Sequence, residues 1–318
     1  MVKTVIITGG NSGLGYHCAQ TISQNSDWHI VLACRNQAKA DQAVQKLQLE
    51  SNSQQIEAMI LDLASFASVR SFVTKFISLD LPPLQAIVAN AGVQFIQKQT
   101  YTSDGFDTTF GVNHLGHFLL VNLLLKHLNS PARVVFVSSD THDSSKTTGM
   151  PAPYFREPEL MAHPEQDPFL TNKNIGEIGR IAYTTSKLCN VLCAYELNRR
   201  LVAKSDPNFA AITVNVFNPG LMPGSGLASD YNAIAKFVWN NILPILCNFI
   251  PKVNTMPDAG SGLARLVTDP ELANVTAKYF SCLEMTNSAT ESYDQSKAEQ
   301  LWQGSVELTG LQANETIV

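Results

Sequence analysis

Charge is scarce in this chain, and basic charge scarcer still. Asp, Glu, Lys and Arg make up 15% of the residues, 22 Lys and Arg stand against 27 Asp and Glu, and the net charge is −5. No run of Lys or Arg stands out, so the electrostatic footprint of a nucleic-acid-binding protein is missing and no such partner is expected. The six cysteines, Cys18, Cys34, Cys189, Cys193, Cys247 and Cys282, include no CxxC pair and mostly fall in apolar patterns. They read as reduced core residues of an intracellular protein, without a disulfide framework. Low-complexity stretches and internal repeats are absent. No signal-peptide pattern precedes the first apolar strand, so a cytoplasmic location is expected. The nearest approach to a membrane span is Ala233–Ile250, but it is short and broken by Lys236, Asn240, Asn241, Pro244 and Asn248. It reads as part of a lid over an apolar pocket, with peripheral membrane contact through residues 233–250 as the second reading.

What the chain has in quantity is apolar material, 45% of 318 residues, enough for a large core. Strand-like runs are expected at Val2–Thr8, His29–Cys34, Ile56–Leu61, Leu84–Ala89, Arg133–Ser138, Ile212–Phe217 and Lys278–Cys282. Most are continuously apolar, as strands covered on both faces are. Helical patterns alternate with them at Gln37–Leu49, Ser65–Leu79, Asp107–Leu128 and Ala182–Leu201. The alternation predicts an α/β fold in one domain, 1–318, with a doubly wound, seven-stranded, mainly parallel sheet and helices on both faces. Two segments break the rhythm. Asp140–Ile181 is too long for an ordinary connection and reads as a functional or partly mobile insertion. Leu221–Pro257 reads as a substrate lid.

Between the first strand and a helical pattern lies Thr8-Gly9-Gly10-Asn11-Ser12-Gly13-Leu14-Gly15. Glycines at this spacing permit a tight turn and let backbone N–H groups reach a pyrophosphate, while the helix offers its positive end. The second strand runs into Cys34-Arg35-Asn36, with no carboxylate to hold ribose hydroxyls. Arg35 is placed to pair with a 2′-phosphate, so NADP(H) is expected over NAD(H). Asp62, followed by Leu63, ends the third strand and suits the adenine edge; Asp62 could instead N-cap the helix beginning near Ser65. Asn90-Ala91-Gly92 ends the fourth strand, where small residues let the backbone run beside the adenine ribose. Pro219-Gly220 ends the sixth, beside the nicotinamide.

Tyr183 and Lys187, four apart on a helical pattern, place a proton donor and a cation on one face. A tyrosine titrates near pH 10 when free, and a neighbouring ammonium favours its phenolate. His114 and His117 resemble metal-ligand spacing, but no carboxylate or cysteine cluster accompanies them. Packing or hydrogen bonding is expected, and no metal site. Cys189 and Cys193 share a helix face and read as core filling.

Taken in order, Thr8–Gly15, Asn90-Ala91-Gly92, Asn113, Ser138-Ser139, Tyr183-Thr-Thr-Ser-Lys187 and Asn218-Pro219-Gly220 resemble the short-chain dehydrogenase/reductase family over about residues 2–220. The resemblance implies a Rossmann fold and NADP(H)-dependent oxidoreduction. By it, Tyr183 is general acid in reduction and base in oxidation, and Lys187 holds the nicotinamide ribose. Ser139, chosen over Ser138, bonds the substrate oxygen, and Asn113 orders a water leading from Lys187 to solvent. Relatives often present a Thr to the carboxamide after Pro-Gly; here Leu221-Met222-Pro223-Gly224-Ser225 follows, leaving Ser225 or a backbone group. Asp104-Gly105-Phe106 and Gly111–Leu120 resemble the retinol dehydrogenase-like branch, as does His142 after Ser138-Ser139, which implies reduction of an apolar carbonyl compound. His114-Leu-Gly-His-Phe-Leu-Leu120, Ser186–Asn190, the long insertion and the C-terminal region also resemble light-dependent protochlorophyllide oxidoreductases. Those enzymes usually have Ala where Gly92 stands, Thr where Ser139 stands, a cysteine where Leu221 stands and another in the insertion. A catalytically silent NADPH-binding regulator is a third reading. The assembly is open between monomer and homo-oligomer.

Overall fold

The structure, a computed structural model, describes residues 1–223, 230 and 254–318. Ala233–Ile250 and Ser225 lie outside the described residues. β1 (Lys3–Thr8), β2 (Trp28–Cys34), β3 (Ile56–Ile60), β4 (Leu84–Ala89), β5 (Ala132–Val137), β6 (Ile212–Asn218), β7 (Tyr279–Ser281) and β8 (Glu284–Thr286) form one sheet, ordered β3-β2-β1-β4-β5-β6-β7-β8. The first seven strands run parallel and β8 returns antiparallel to β7. The order reverses between β1 and β4, so the C-terminal ends of both strands open onto one crevice, where ligands of such sheets bind.

Helices α1 (Gly13–Ile22), α2 (Gln37–Ser51), α3 (Phe66–Ser78), α4 (Gly116–Leu124), α5 (Ile175–Ala203), α6 (Met256–Thr268) and α7 (Gln295–Thr309) cover the two faces. The strand pleat divides the core. Ile6, Val31, Ile87, Val134 and Val214 point to the layer with Phe72, Phe118 and Trp302. Their neighbours Val5, Ile7, Ile30, Val88 and Val135 point to the layer with Leu47 and Leu263. Alternate residues of one strand thus bury in opposite layers, which is why these strands read as unbroken apolar runs.

The structure departs from the sequence expectation in four places. An eighth strand extends the sheet; its three residues are exposed, too short to show a period. Instead of beginning at Ala182, α5 begins at Ile175, where the Asn174 side chain accepts from Glu177 N. Gly176 and Gly179 hide that first turn because glycine is a weak helix former. The insertion also holds a short helix at Pro158–Ala162 and 3-10 turns at Asp140–His142 and Pro164–Gln166. Finally, Asp107–Leu128 is not one regular helix. Asp107 caps a turn at Thr108–Phe110, Gly111–Leu115 widens into a π-helical turn closed by Gly116 N to Gly111 O, and only then does α4 run regularly.

Candidate active site

The glycine loop hangs between β1 and β4. Gly9 N donates to Ala33 O at 2.9 Å, which sets the loop beside the end of β2. Gly13 has φ +54°, and among the described residues a side chain there would meet only Met256 Sδ at 4.0 Å. Gly15 faces inward, where a methyl would lie 2.6 Å from Asn90 Nδ2. Among the described residues Ser12 makes no side-chain cap to the first amides of α1, the groups a helix start offers to an acceptor. This is a cradle that fits the pyrophosphate of a dinucleotide.

Arg35 is exposed at the tip of β2 and forms no ion pair among the described residues. Asp62 is fixed locally: Oδ1 accepts from Ala64 N at 3.0 Å, and its own N–H donates to Ser68 Oγ. The N-cap of α3 is Ser65, not Asp62, because Ser65 is the residue whose oxygen reaches Ser68 N. Leu63 is buried, and Gly116 lets α4 approach its carbonyl, since a methyl at Gly116 would stand 2.6 Å from Leu63 O. Asn90 is a strut: its Nδ2 donates to Thr8 O at 2.7 Å, tying β4 to β1 beneath the glycine loop. Pro219 O accepts from Asn254 Nδ2 at 3.0 Å, Asn254 N donates to Leu221 O at 3.1 Å, and the Cys282 thiol points at the same proline carbonyl at 3.4 Å. Asn254 thus holds the turn at Gly220 (φ +72°) from a distant stretch of chain that carries no sequence signal.

The structure brings Asn113, Tyr183 and Lys187 together, and Ser139 follows β5, two residues after the Val137 carbonyl that Lys187 reaches. Asn113 is fully buried in the π-helical turn. Its Oδ1 accepts from Val93 N at 2.8 Å, and its Nδ2 donates to Val93 O and Ser186 Oγ, both at 3.0 Å. Lys187 Nζ donates to Val137 O at 3.3 Å and stands 5.5 Å from the Tyr183 ring centre. Burial pushes the ammonium down to about 8. A methyl at Gly92 would sit 3.4 Å from Lys187 Nζ and 3.5 Å from Asn113 Oδ1, so this glycine keeps the space between the two polar groups clear.

The two serines differ. Ser138 is buried and its hydroxyl donates to Lys187 O at 2.8 Å. Ser139 is half-buried, and its Oγ accepts from Thr141 N at 3.3 Å. Its carbonyl accepts from His142 Nδ1 at 2.6 Å, while His142 Nε2 accepts from Ala289 N at 2.9 Å. A buried histidine thereby ties Ser139 to the C-terminal region. His114 and His117 are hydrogen-bonded core residues, to Ser305 Oγ at 2.9 Å and Thr8 Oγ1 at 2.8 Å. Asp230 accepts from the consecutive amides of Ile96 and Gln97 at 2.7 and 2.8 Å. An apolar cavity among Phe110, Leu160, Met161, Leu170, Ile178 and Ile181 lies behind α5. The helical spacing places its wall on the face opposite Tyr183 and Lys187, so it is not the reacting pocket.

Comparison with known proteins agrees with this fold. Residues 3–151 match the short chain dehydrogenase family, and residues 226–318 match the AcuH dehydrogenase domain. A chloroplastic protochlorophyllide reductase of Chlamydomonas reinhardtii is 33% identical over 327 residues, spanning 98% of this chain and 79% of that protein. The chloroplastic short-chain dehydrogenase TIC 32 A of Brassica napus is 32% identical, across 96% of this chain and 88% of its own. Among solved structures, an uncharacterised protein of Mycobacterium paratuberculosis superposes with TM-score 0.67 and 26% identity, covering 96% of this chain and 93% of the other. A blue fluorescent protein from a metagenomic library, solved with NADPH, shares the fold at TM-score 0.60 and 20% identity over 88% of this chain and 95% of its own. Glycine cradle, Asn113, Tyr183 and Lys187 stand on a doubly wound sheet, and relatives above 30% identity match it nearly end to end: the chain belongs to the short-chain dehydrogenase/reductase family of nicotinamide-dependent oxidoreductases.

Proposed function

We propose that this enzyme is an NADPH-dependent reductase of an apolar carbonyl compound, a retinal-like aldehyde or ketone, with Tyr183 as proton donor. The observation that carries the reading is the buried Lys187 ammonium, 5.5 Å from the Tyr183 ring and with no carboxylate paired to it among the described residues. Its charge favours the phenolate, so Tyr183 releases its proton as negative charge develops on the substrate oxygen. Ser139 Oγ–H donates to that oxygen. Ser138 is not the donor, because its single hydroxyl proton is given to Lys187 O. Lys187 also holds the nicotinamide ribose, and Asn113 orders the water that restores the proton from solvent. Bound in the glycine cradle, NADPH supplies the hydride. Thr8, Gly9, Asn11, Ser12, Gly13, Leu14 and Gly15 would hold its pyrophosphate. Asp62, Leu63, Asn90, Ala91 and Gly92 would hold its adenosine, Pro219 and Gly220 its nicotinamide, and exposed Arg35 its 2′-phosphate.

The similarity to an algal protochlorophyllide reductase favours one second reading, a light-driven reductase of that pigment class. Gly92, Ser139, Leu221 and a cysteine-free insertion stand against it. A silent NADPH-binding regulator is disfavoured by the complete set Asn113, Ser139, Tyr183 and Lys187. The test is NADPH oxidation by the purified protein with apolar carbonyls, retinal among them, and with protochlorophyllide in darkness and after illumination. Dark turnover of a carbonyl is expected. The Tyr183→Phe variant should lose about 10²- to 10⁴-fold in turnover while binding NADPH as before. Product from protochlorophyllide only after light would replace the reading with the second one.

A further inference from the structure

His117 is fully buried at the start of α4, and both ring nitrogens are engaged. Nδ1 lies 3.1 Å from the backbone oxygen of Asn113, and Nε2 lies 2.8 Å from Thr8 Oγ1. A carbonyl oxygen only accepts, so Nδ1 carries the proton and Nε2 accepts from the Thr8 hydroxyl. Thr8 Oγ1 in turn accepts from Asn90 N and Ala91 N, each at 2.9 Å. The Thr8 hydroxyl also lies 3.3 Å from Val88 O, but its one proton goes to the nearer His117 nitrogen at 2.8 Å. A directed chain results: the amides at the end of β4 donate to Thr8, Thr8 donates to His117, and His117 donates to Asn113. It joins the start of the phosphate loop, the Asn90-Ala91 turn and the π-helical turn bearing Asn113.

We infer that His117 is a positioning residue that holds the cofactor cradle and Asn113 in one register, acting through Thr8 on one side and through the Asn113 carbonyl on the other. Three features separate it from a satisfied core histidine. Its two bonds reach different parts of the site, and no other described side chain links Thr8 to the π-helical turn. Its Asn113 contact folds back on its own helix where the backbone ladder has widened, the kind of local irregularity that accompanies function. Burial keeps the ring neutral, with Lys187 adding to that effect, so the donor–acceptor direction is maintained under working conditions.

The two halves can be separated chemically. In His117→Asn the amide nitrogen occupies the place of Nδ1 and keeps the bond to Asn113 while losing Thr8. In His117→Gln the amide oxygen reaches the place of Nε2 and keeps Thr8 while losing Asn113. NADPH affinity is read by fluorescence titration without turnover, and amide hydrogen exchange is read across residues 111–115. The Asn variant should weaken NADPH binding about 3- to 10-fold with exchange at 111–115 unchanged, the size expected for one lost hydrogen bond. The Gln variant should bind NADPH normally, speed exchange at 111–115 and lower kcat on the carbonyl. That last readout alone rests on the proposed reductase activity; the other two stand if no carbonyl is turned over. Equal effects of both variants on affinity and exchange, or a fall in thermal midpoint with neither readout changed, would overturn the inference.

Discussion

The expected nucleotide preference rests on single side chains. At the tip of β2 stands Arg35, exposed and without an ion pair among the described residues, with Asn36 beside it as the N-cap of α2. A guanidinium bound to a phosphate contributes about 1.5–3 kcal/mol through charge-assisted bonds. Arg35→Asp should therefore raise KM for NADPH about 10- to 150-fold and leave NADH little affected, which a side-by-side determination of kcat/KM for both nucleotides measures. Equal efficiency of the wild-type protein with the two nucleotides would remove the basis for Arg35. Most residues of the cradle were legible at this scale, because glycine spacing, a missing carboxylate and the Tyr183–Lys187 step are properties of neighbours in the chain. Asn254 was not, because its contacts with Pro219 and Leu221 join positions more than 30 residues apart.

At the scale of elements, the junction of α5 with the loop after β4 carries the site. Gly179 lies in the first turns of α5, and a methyl there would stand 1.8 Å from Phe95 O. Glycine costs a helix interior about 1 kcal/mol relative to alanine. Removing it would stabilise an isolated helix by that amount, but here the clash with backbone dominates. Gly179→Ala should destabilise by about 1–3 kcal/mol, seen as a lower denaturant midpoint, because the Phe95 loop and Gly92 beyond it must shift. An unchanged or higher midpoint would show that the loop yields freely. The same contact explains why the beginning of α5 was hidden. Its glycines look like helix breakers in sequence, and only the approach of the Phe95–Ile96 backbone gives them a reason. Helices α2 and α3 were readable to within two residues because apolar period and caps agree, with Asn36 and Ser65 at their starts.

At the scale of the whole molecule, burial of histidines ties stability to pH. Burial pushes His114 down to about 3 and His117 to about 4, and lowers His142 as well. Above about pH 6.5 these rings are neutral in both folded and unfolded chains, and their contribution is complete. As pH falls below 6.5 the unfolded chain takes up protons that the buried rings refuse, so stability falls until the folded values are reached. Asp107 acts the other way. Burial pushes it up to about 6, so below that pH the folded state binds its proton first and offsets part of the loss. With two strongly lowered histidines against one raised carboxyl, the denaturant midpoint should drop from pH 6.5 to 4, at about 1.4 kcal/mol per unit of separation and per group. A flat profile over that range would mean that the rings are not buried as described. Among the described residues no helix is long and apolar enough to cross a membrane, and the segment 233–250 lies outside them.

The sequence by itself determined the layered α/β architecture, the seven parallel strands, the glycine-rich turn after β1 and the placing of Tyr183 and Lys187 four apart on one helix. Each is encoded by periodicity or by spacing within a few residues, where chain geometry alone sets the distance. Only the tertiary structure decided that Ser138 is engaged by Lys187 O while Ser139 is not. It also decided that Ser65 rather than Asp62 caps α3, that Asn90 braces β1, and that His117 and His142 bond to Thr8, Asn113 and Ser139. The Asn90 and histidine contacts depend on which hydrogen-bond partners remain after distant strands and helices have packed, and partner choice across some 80 to 150 residues leaves no local trace in the chain.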